Sequence, residues 1–345
     1  MPRLVVDLHD RRPLWTLPEW ALEEIRATLP PEWECVAVGE VADGQGDGGG
    51  PSPEALRAVR GAEVYLGYGI PPALFRAATG RPEGRLRWAH SGAAGVGGSL
   101  YPEMRDSEVV LTNSAGIHAE PIADTVLAMV LHFARGIDFA VRAQADRRWD
   151  KVPFEAADAP LRELEELTVG VLGFGGIGRA VARRLAALGV RVLAARRRPG
   201  ESPPGVEVLA GGDALGRLLE RSDVLVITVP ETADTRGMIG RAELARLPRG
   251  AVVVNVARGR VLDEDALLES LRSGHLRGAA LDVFAREPLP PDSPLWALPN
   301  LLVTPHVSGT SHRFWRRETD LIVENIRRYL AGKPLLNTVD KSAGY

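Results

Sequence analysis

Thr168-Val169-Gly170-Val171-Leu172, an apolar run that reads as a buried strand, leads directly into Gly173-Phe174-Gly175-Gly176-Ile177-Gly178, and a helical pattern follows over 177–188. Strand, glycine turn and helix in this order form the dinucleotide-binding version of a βαβ unit. Gly173 permits the tight turn, Gly175 lets the backbone approach a pyrophosphate, and Gly178 allows the helix to pack closely. Gly176 and Ile177 open the helix, whose first N–H groups are oriented toward an anion. The stretch predicts a parallel sheet around residue 168, with a dinucleotide as its ligand.

Working outward, further strands are read at 190–194, 224–228, 251–256, 278–283 and 301–304, which with 168–172 makes six, a set that suits a doubly wound sheet. Upstream, 4–6, 35–38, 64–66, 86–89 and 109–112 read as strands, with helices over 19–27 and 53–59. Apolar runs alternating with helical periodicity give an α/β architecture. A single amphipathic helix is expected from Ala119 to about Gln144, joining two domains, with an apolar face that includes Ile122, Val126, Phe133 and Ile137. A last helix is expected over 310–330, stopped by Gly332 and Pro334. The glycine-rich stretch 43–53 reads as a surface loop without a phosphate-binding role.

The chain has 345 residues, 45% hydrophobic and 25% charged, enough for two cores. A formal net charge of -3 provides no basic footprint for nucleic acid or an anionic membrane. Cys35 is the only cysteine, which excludes an intrachain disulfide and a Cys-based zinc site and points to a reducing compartment. There is no signal-peptide pattern and no apolar run of membrane-spanning length, so a soluble, cytoplasmic protein is expected. The histidines show no metal-ligand spacing, and no metal is expected.

Three segments fall at the ends of later strands, where ligands collect in an open parallel sheet. They are Asn255-Val256-Ala257-Arg258-Gly259, Asp282-Val283-Phe284-Ala285-Arg286-Glu287-Pro288 and Thr304-Pro305-His306. Together with GFGGIG, with SPLWALPNLLVTPH (293–306) and with SAGIHAEPIADTVLAMVL (114–131), they resemble the D-isomer-specific 2-hydroxyacid dehydrogenase family over roughly residues 86–330. The resemblance implies two Rossmann-like domains. A doubly wound dinucleotide-binding domain (114–310) is inserted in a smaller flavodoxin-like substrate domain (1–113 and 311–345). It places the family's catalytic arginine, glutamate and histidine on Arg258, Glu287 and His306. The chemistry suits those residue types. Arg258 offers a permanent cation whose fork matches a carboxylate, His306 is a proton donor for the working pH range, and Glu287 would hold the imidazole's tautomer and favour its protonated form. The resemblance further implies a substrate loop at 91–96, matched best by Ala94 and Gly95, although Gly97 stands where the family often has Asp. It adds Val229, Pro230, Ala257 and Asp282 to the cofactor-binding set, Asp282 orienting nearby groups or the nicotinamide amide. A homodimer is implied, because in relatives the helix matching residues 122–137 lies at a twofold interface.

NAD-specific sites carry an acidic residue at the end of the second strand, about 20 positions past the glycine turn. Here Arg196-Arg197-Arg198 occupies that place, and guanidinium groups pair with a 2'-phosphate that a carboxylate would repel. NADP(H) is therefore favoured, with NAD(H) possible. The expectation is an oxidoreductase that moves a hydride between NAD(P)H and a small 2-keto or D-2-hydroxy acid, in the reductive direction, glyoxylate or hydroxypyruvate being the guesses. The alternatives are a dinucleotide-sensing, corepressor-like binding protein, or a dehydrogenase of phosphite or formate. Formate is disfavoured, since its enzymes carry glutamine soon after the histidine and Val307-Ser308-Gly309-Thr310 follows here.

Overall fold

The computed structural model describes residues 1–41, 50–80, 82, 84–197 and 199–344, so most of the expected 43–53 loop, and Arg198, lie outside the described residues. The chain forms two compact units, one from Met1–His118 and Ser311–Tyr345, the other from Ala119–Thr310.

The first unit contains strands β1 (Arg3–Asp7), β2 (Glu34–Ala37), β3 (Val64–Gly67), β4 (Trp88–Ser91) and β5 (Val110–Asn113). They pair in the order β2-β1-β3-β4-β5, all parallel, which is the flavodoxin-like arrangement. Alternation along β1 explains why both faces are covered: Val5 packs into one apolar cluster, Leu4 and Val6 into the other. The helix Phe314–Leu330 gives Ile322, Val323 and Ile326 to the second cluster. It starts four residues later than expected, since residues 310 and 311 are irregular and 312 and 313 form a turn.

The second unit contains β6 (Thr168–Leu172), β7 (Arg191–Arg196), β8 (Val206–Ala210), β9 (Val224–Ile227), β10 (Ala251–Asn255), β11 (Leu276–Leu281) and β12 (Leu301–Val303). Their order, β12-β11-β10-β9-β6-β7-β8, is the doubly wound order with a seventh strand added at one edge. The sheet is parallel throughout and buried on both sides: Val252 and Val254 face one cluster, Val253 the other. Strand β8 was not expected from the sequence. It is a short edge strand, only partly buried, with Glu207 exposed, so it lacks the continuous apolar run that marks its neighbours.

The helix expected from 119 to 144 is two helices, Ala119–Ala134 and Ile137–Ala145. The break is at Gly136, whose φ of +65° favours glycine and whose open side is filled by Leu161 and Phe154. The apolar face of the first helix is consumed within the unit, where Ile122, Val126 and Phe133 join the cluster that covers β6 and β10. Ile137, the last residue of the expected face, lies beyond the break and is exposed.

Candidate active site

The residues singled out in the second unit lie along the carboxyl edge of its sheet. The strand order sets their sequence in space: His306 after β12, Glu287 after β11, Arg258 after β10, Val229 and Pro230 after β9, the glycine turn after β6, and Arg196 at the end of β7.

The glycine turn sits where the strand order reverses, between β6 and β9. Gly173 has φ of +99°, and a Cβ there would lie 2.8 Å from Val229 Cγ1, so the turn and the end of β9 are in direct contact. A Cβ on Gly178 would overlap the Gly173 carbonyl oxygen, to which Thr228 Oγ1 also donates, at 2.7 Å. Gly175, by contrast, has no heavy atom within 4 Å of the Cβ position, and it caps the helix Gly176–Ala187. Gly175 and Gly176 are exposed and Ile177 is half-buried. The turn is thus packed behind and open in front, with helix N–H groups at the open side. Such a cradle fits a diphosphate. Arg196 is half-buried and has no ion-pair partner among the described residues; its guanidinium lies over Gly200, while Arg197 is exposed.

The second group is built around Asp282, which is fully buried just past β11. Oδ1 accepts from Thr304 Oγ1 at 2.6 Å and from Val307 N–H at 2.9 Å, while Oδ2 accepts from Ser308 N–H at 3.0 Å and from the Ser308 hydroxyl. The Asp282 carbonyl takes the His306 N–H at 2.8 Å. These bonds hold His306 at φ of +53°, a conformation that a side-chain-bearing residue keeps only when its surroundings impose it. With both oxygens engaged, Asp282 orients this loop.

His306 Nδ1 and Glu287 Oε2 are 2.7 Å apart, and Glu287 Oε1 accepts the Phe284 N–H at 2.9 Å. Both side chains are partly open to solvent. Burial pulls the Glu287 carboxyl upward, but the His306 and Phe284 hydrogen bonds and the His306 and Arg258 charges together leave it below its ordinary value. Arg258 is exposed at the start of a short turn and donates through Nη1 to the Ala257 carbonyl at 2.7 Å. Asn255, fully buried, shapes that turn: Nδ2 donates to the Arg258 carbonyl at 3.1 Å and Oδ1 accepts Ala257 N–H at 3.0 Å.

Sequence reasoning missed two supports. Gly259 lies directly against the Phe284–Ala285 backbone, which a Cβ would overlap. Glu264 Oε1 accepts Ala285 N–H at 2.6 Å. Burial raises the Glu264 carboxyl; the Ala285 bond opposes this, and the nearby Asp265, Glu287 and Asp263 charges add to the rise. Neither signal is visible in one dimension, since both depend on loops meeting across β10 and β11.

Ala94 and Gly95 belong to the first unit, on the turn that follows β4, where Ala94 is exposed and Gly95 half-buried. Of the aromatic residues close in sequence to these segments, Trp315 is buried, Tyr101 donates to the Ile70 carbonyl at 2.9 Å, and Trp296, though exposed, donates to the Pro290 carbonyl at 2.9 Å. Packing and local hydrogen bonds account for them. Among the described residues no cluster of His, Cys, Asp and Glu could hold a metal ion, and no helix is long and apolar enough to cross a membrane.

Residues 127–308 match the NAD binding domain of D-isomer specific 2-hydroxyacid dehydrogenases. A glyoxylate reductase of Korarchaeum cryptofilum is 35% identical over 260 residues, 74% of this chain and 77% of that protein. A glyoxylate/hydroxypyruvate reductase A of Klebsiella pneumoniae is 39% identical over 221 residues, 64% of this chain and 67% of that protein. Among solved structures, a D-isomer specific 2-hydroxyacid dehydrogenase from Xanthobacter autotrophicus Py2, in complex with NADPH and MES, superposes with a TM-score of 0.80 at 34% identity, covering 100% of this chain and 99% of the other. An NADPH-dependent glyoxylate/hydroxypyruvate reductase from Sinorhizobium meliloti, in complex with NADP and sulfate, gives a TM-score of 0.79 at 30% identity, covering 100% of both chains. The chain belongs to the D-isomer specific 2-hydroxyacid dehydrogenase family and is an NAD(P)-dependent oxidoreductase acting on keto or hydroxy acids.

Proposed function

We propose that the protein is an NADPH-preferring reductase of small 2-keto acids, with glyoxylate and hydroxypyruvate as substrates. The observation that carries this reading is the pairing of His306 with Glu287 at 2.7 Å, after the neighbouring strands β12 and β11, next to Arg258 after β10 and on the same carboxyl edge as the glycine cradle. The bound nicotinamide supplies the hydride. Arg258 binds the substrate carboxylate and polarises the keto oxygen, and the proton reaches that oxygen from His306 Nε2, because Nδ1 faces Glu287. Glu287 fixes the ring and supplies the counter-charge to its protonated form. Ala94 and Gly95 offer backbone N–H donors to a carboxylate, and Val229, Pro230 and Ala257 border the cofactor. The names of the relatives above support the substrate class. Turnover of a panel of 2-keto acids, run with NADPH and NADH in parallel, tests it; inactivity across the panel would leave a ligand-sensing protein instead.

The low-lying carboxyl keeps Glu287 ionised across the neutral range. Glu287→Gln removes that charge and weakens the hold on Nδ1, so turnover should fall with NADPH affinity unchanged. Wild-type turnover in this variant would remove Glu287 from its role.

Preference for NADPH follows from Arg196 at the end of β7 and is supported by the NADPH and NADP complexes of the neighbours. A charge-assisted bond to phosphate is worth about 1.5–3 kcal/mol, reduced by exposure and salt. Fluorescence titration at low ionic strength should give about tenfold tighter binding of NADPH than of NADH. Arg196→Asp should reverse the order; equal affinities in the unmodified protein would contradict the assignment.

A homodimer and a cytoplasmic location belong to the same proposal, the latter resting on Cys35 being the only cysteine. The surface offered for dimerisation lies beyond the break at Gly136: Val141 is 53%, Trp149 92% and Val152 74% exposed. Sedimentation at micromolar concentration should show a dimer and Trp149→Glu a weakened one. A monomeric wild type would contradict this.

A further inference from the structure

The turn that carries Ala94 and Gly95 is tied down from behind by residues that the assignments above leave unused. Asn113, the last residue of β5, donates through Nδ2 to the Ala94 carbonyl at 2.8 Å. Its Oδ1 accepts Ala115 N–H at 3.1 Å, and Ser114 N–H reaches the Ala93 carbonyl at 3.3 Å. Segment 113–115 is in turn gripped by the C-terminal tail. Asn337 Nδ2 donates to the carbonyls of Asn113, at 3.1 Å, and Ala115, at 2.8 Å, while the Asn337 carbonyl accepts Asn113 N–H at 3.2 Å. Asn337 has φ of +54°, a left-handed conformation that Asn tolerates better than most residues. The tail itself is fixed: Thr338 bridges Thr112, and buried Asn325 accepts Leu336 N–H at 2.7 Å and donates to its carbonyl at 3.1 Å.

The backbone N–H groups of Ala94 and Gly95, in contrast, have no hydrogen-bond partner among the described residues. A turn with its carbonyls engaged behind it and its N–H groups left over favours an anion. We propose that Asn113 and Asn337 are positioning residues for this turn, so that the C-terminal tail sets the affinity for a small carboxylate. The inference rests on the reading of Ala94 and Gly95 as carboxylate donors.

Two variants separate the bonds from the backbone. Asn337→Gly keeps the left-handed conformation and removes the amide, and Asn113→Ala removes the donor to Ala94. Measured for each are KM and kcat for glyoxylate at saturating NADPH, Kd for NADPH, and Kd for oxalate in the presence of NADPH. KM and the oxalate Kd should rise about tenfold, with kcat within about twofold and the NADPH Kd unchanged. Unchanged KM and oxalate Kd in Asn337→Gly would overturn the proposal, as would a parallel loss of kcat and NADPH affinity, which marks general loosening. If the wild type turned over no keto acid, the reductase reading would fail, while oxalate binding would still report on the turn.

Discussion

Replacing His306 with alanine lowers the rate of keto-acid reduction by about two to four orders of magnitude, the range for removal of a general acid. The side chain can act because its loop is held in a conformation that few residues adopt, by bonds from the loop to Asp282, and because Glu287 fixes one ring nitrogen and leaves the other available. NADPH affinity should be unchanged, since the glycine cradle lies after β6 and His306 after β12, at the edge of the sheet. Steady-state kinetics with chemistry as the slow step, together with cofactor titration, checks both parts. Near wild-type turnover would take His306 out of the proposed mechanism.

Asp282→Ala is expected to cost about 3–5 kcal/mol of stability as well as activity. The carboxylate is fully buried and takes four hydrogen bonds. Truncation leaves the Val307 and Ser308 N–H groups without acceptors, each costing about 1–3 kcal/mol, and removes the acceptor around which the loop is folded. The hydroxyls of Thr304 and Ser308 can turn elsewhere; the backbone groups cannot. Asp282→Asn keeps the shape and one acceptor and should lose less. Thermal unfolding followed by circular dichroism reads the difference, and an unchanged midpoint in Asp282→Ala would show that the loop does not depend on this residue.

The strand, turn and helix at 168–188 were legible because they are contiguous and each glycine has a local reason. The carboxyl-edge placement of Arg258, Glu287 and His306 was legible because each follows an apolar run in the sequence, although the strand before His306 is only three residues long. Strand β8 was not, because an edge strand with an exposed glutamate lacks that signal. The break at Gly136 was hidden by apolar periodicity that continues through it. It depends on Leu161 and Phe154 arriving from later in the chain. Asn113 and Asn337 were silent for the same reason: 224 positions apart, they meet only once β5 and the tail pair.

The central claim, that this site reduces a small 2-keto acid with proton delivery from His306, is tested most directly by incubating the purified protein with NADPH and hydroxypyruvate and determining the configuration of the product. The account predicts stoichiometric NADPH oxidation and D-glycerate, made by wild type and nearly abolished in His306→Ala. No NADPH consumption above the blank, or L-glycerate as the product, would contradict it.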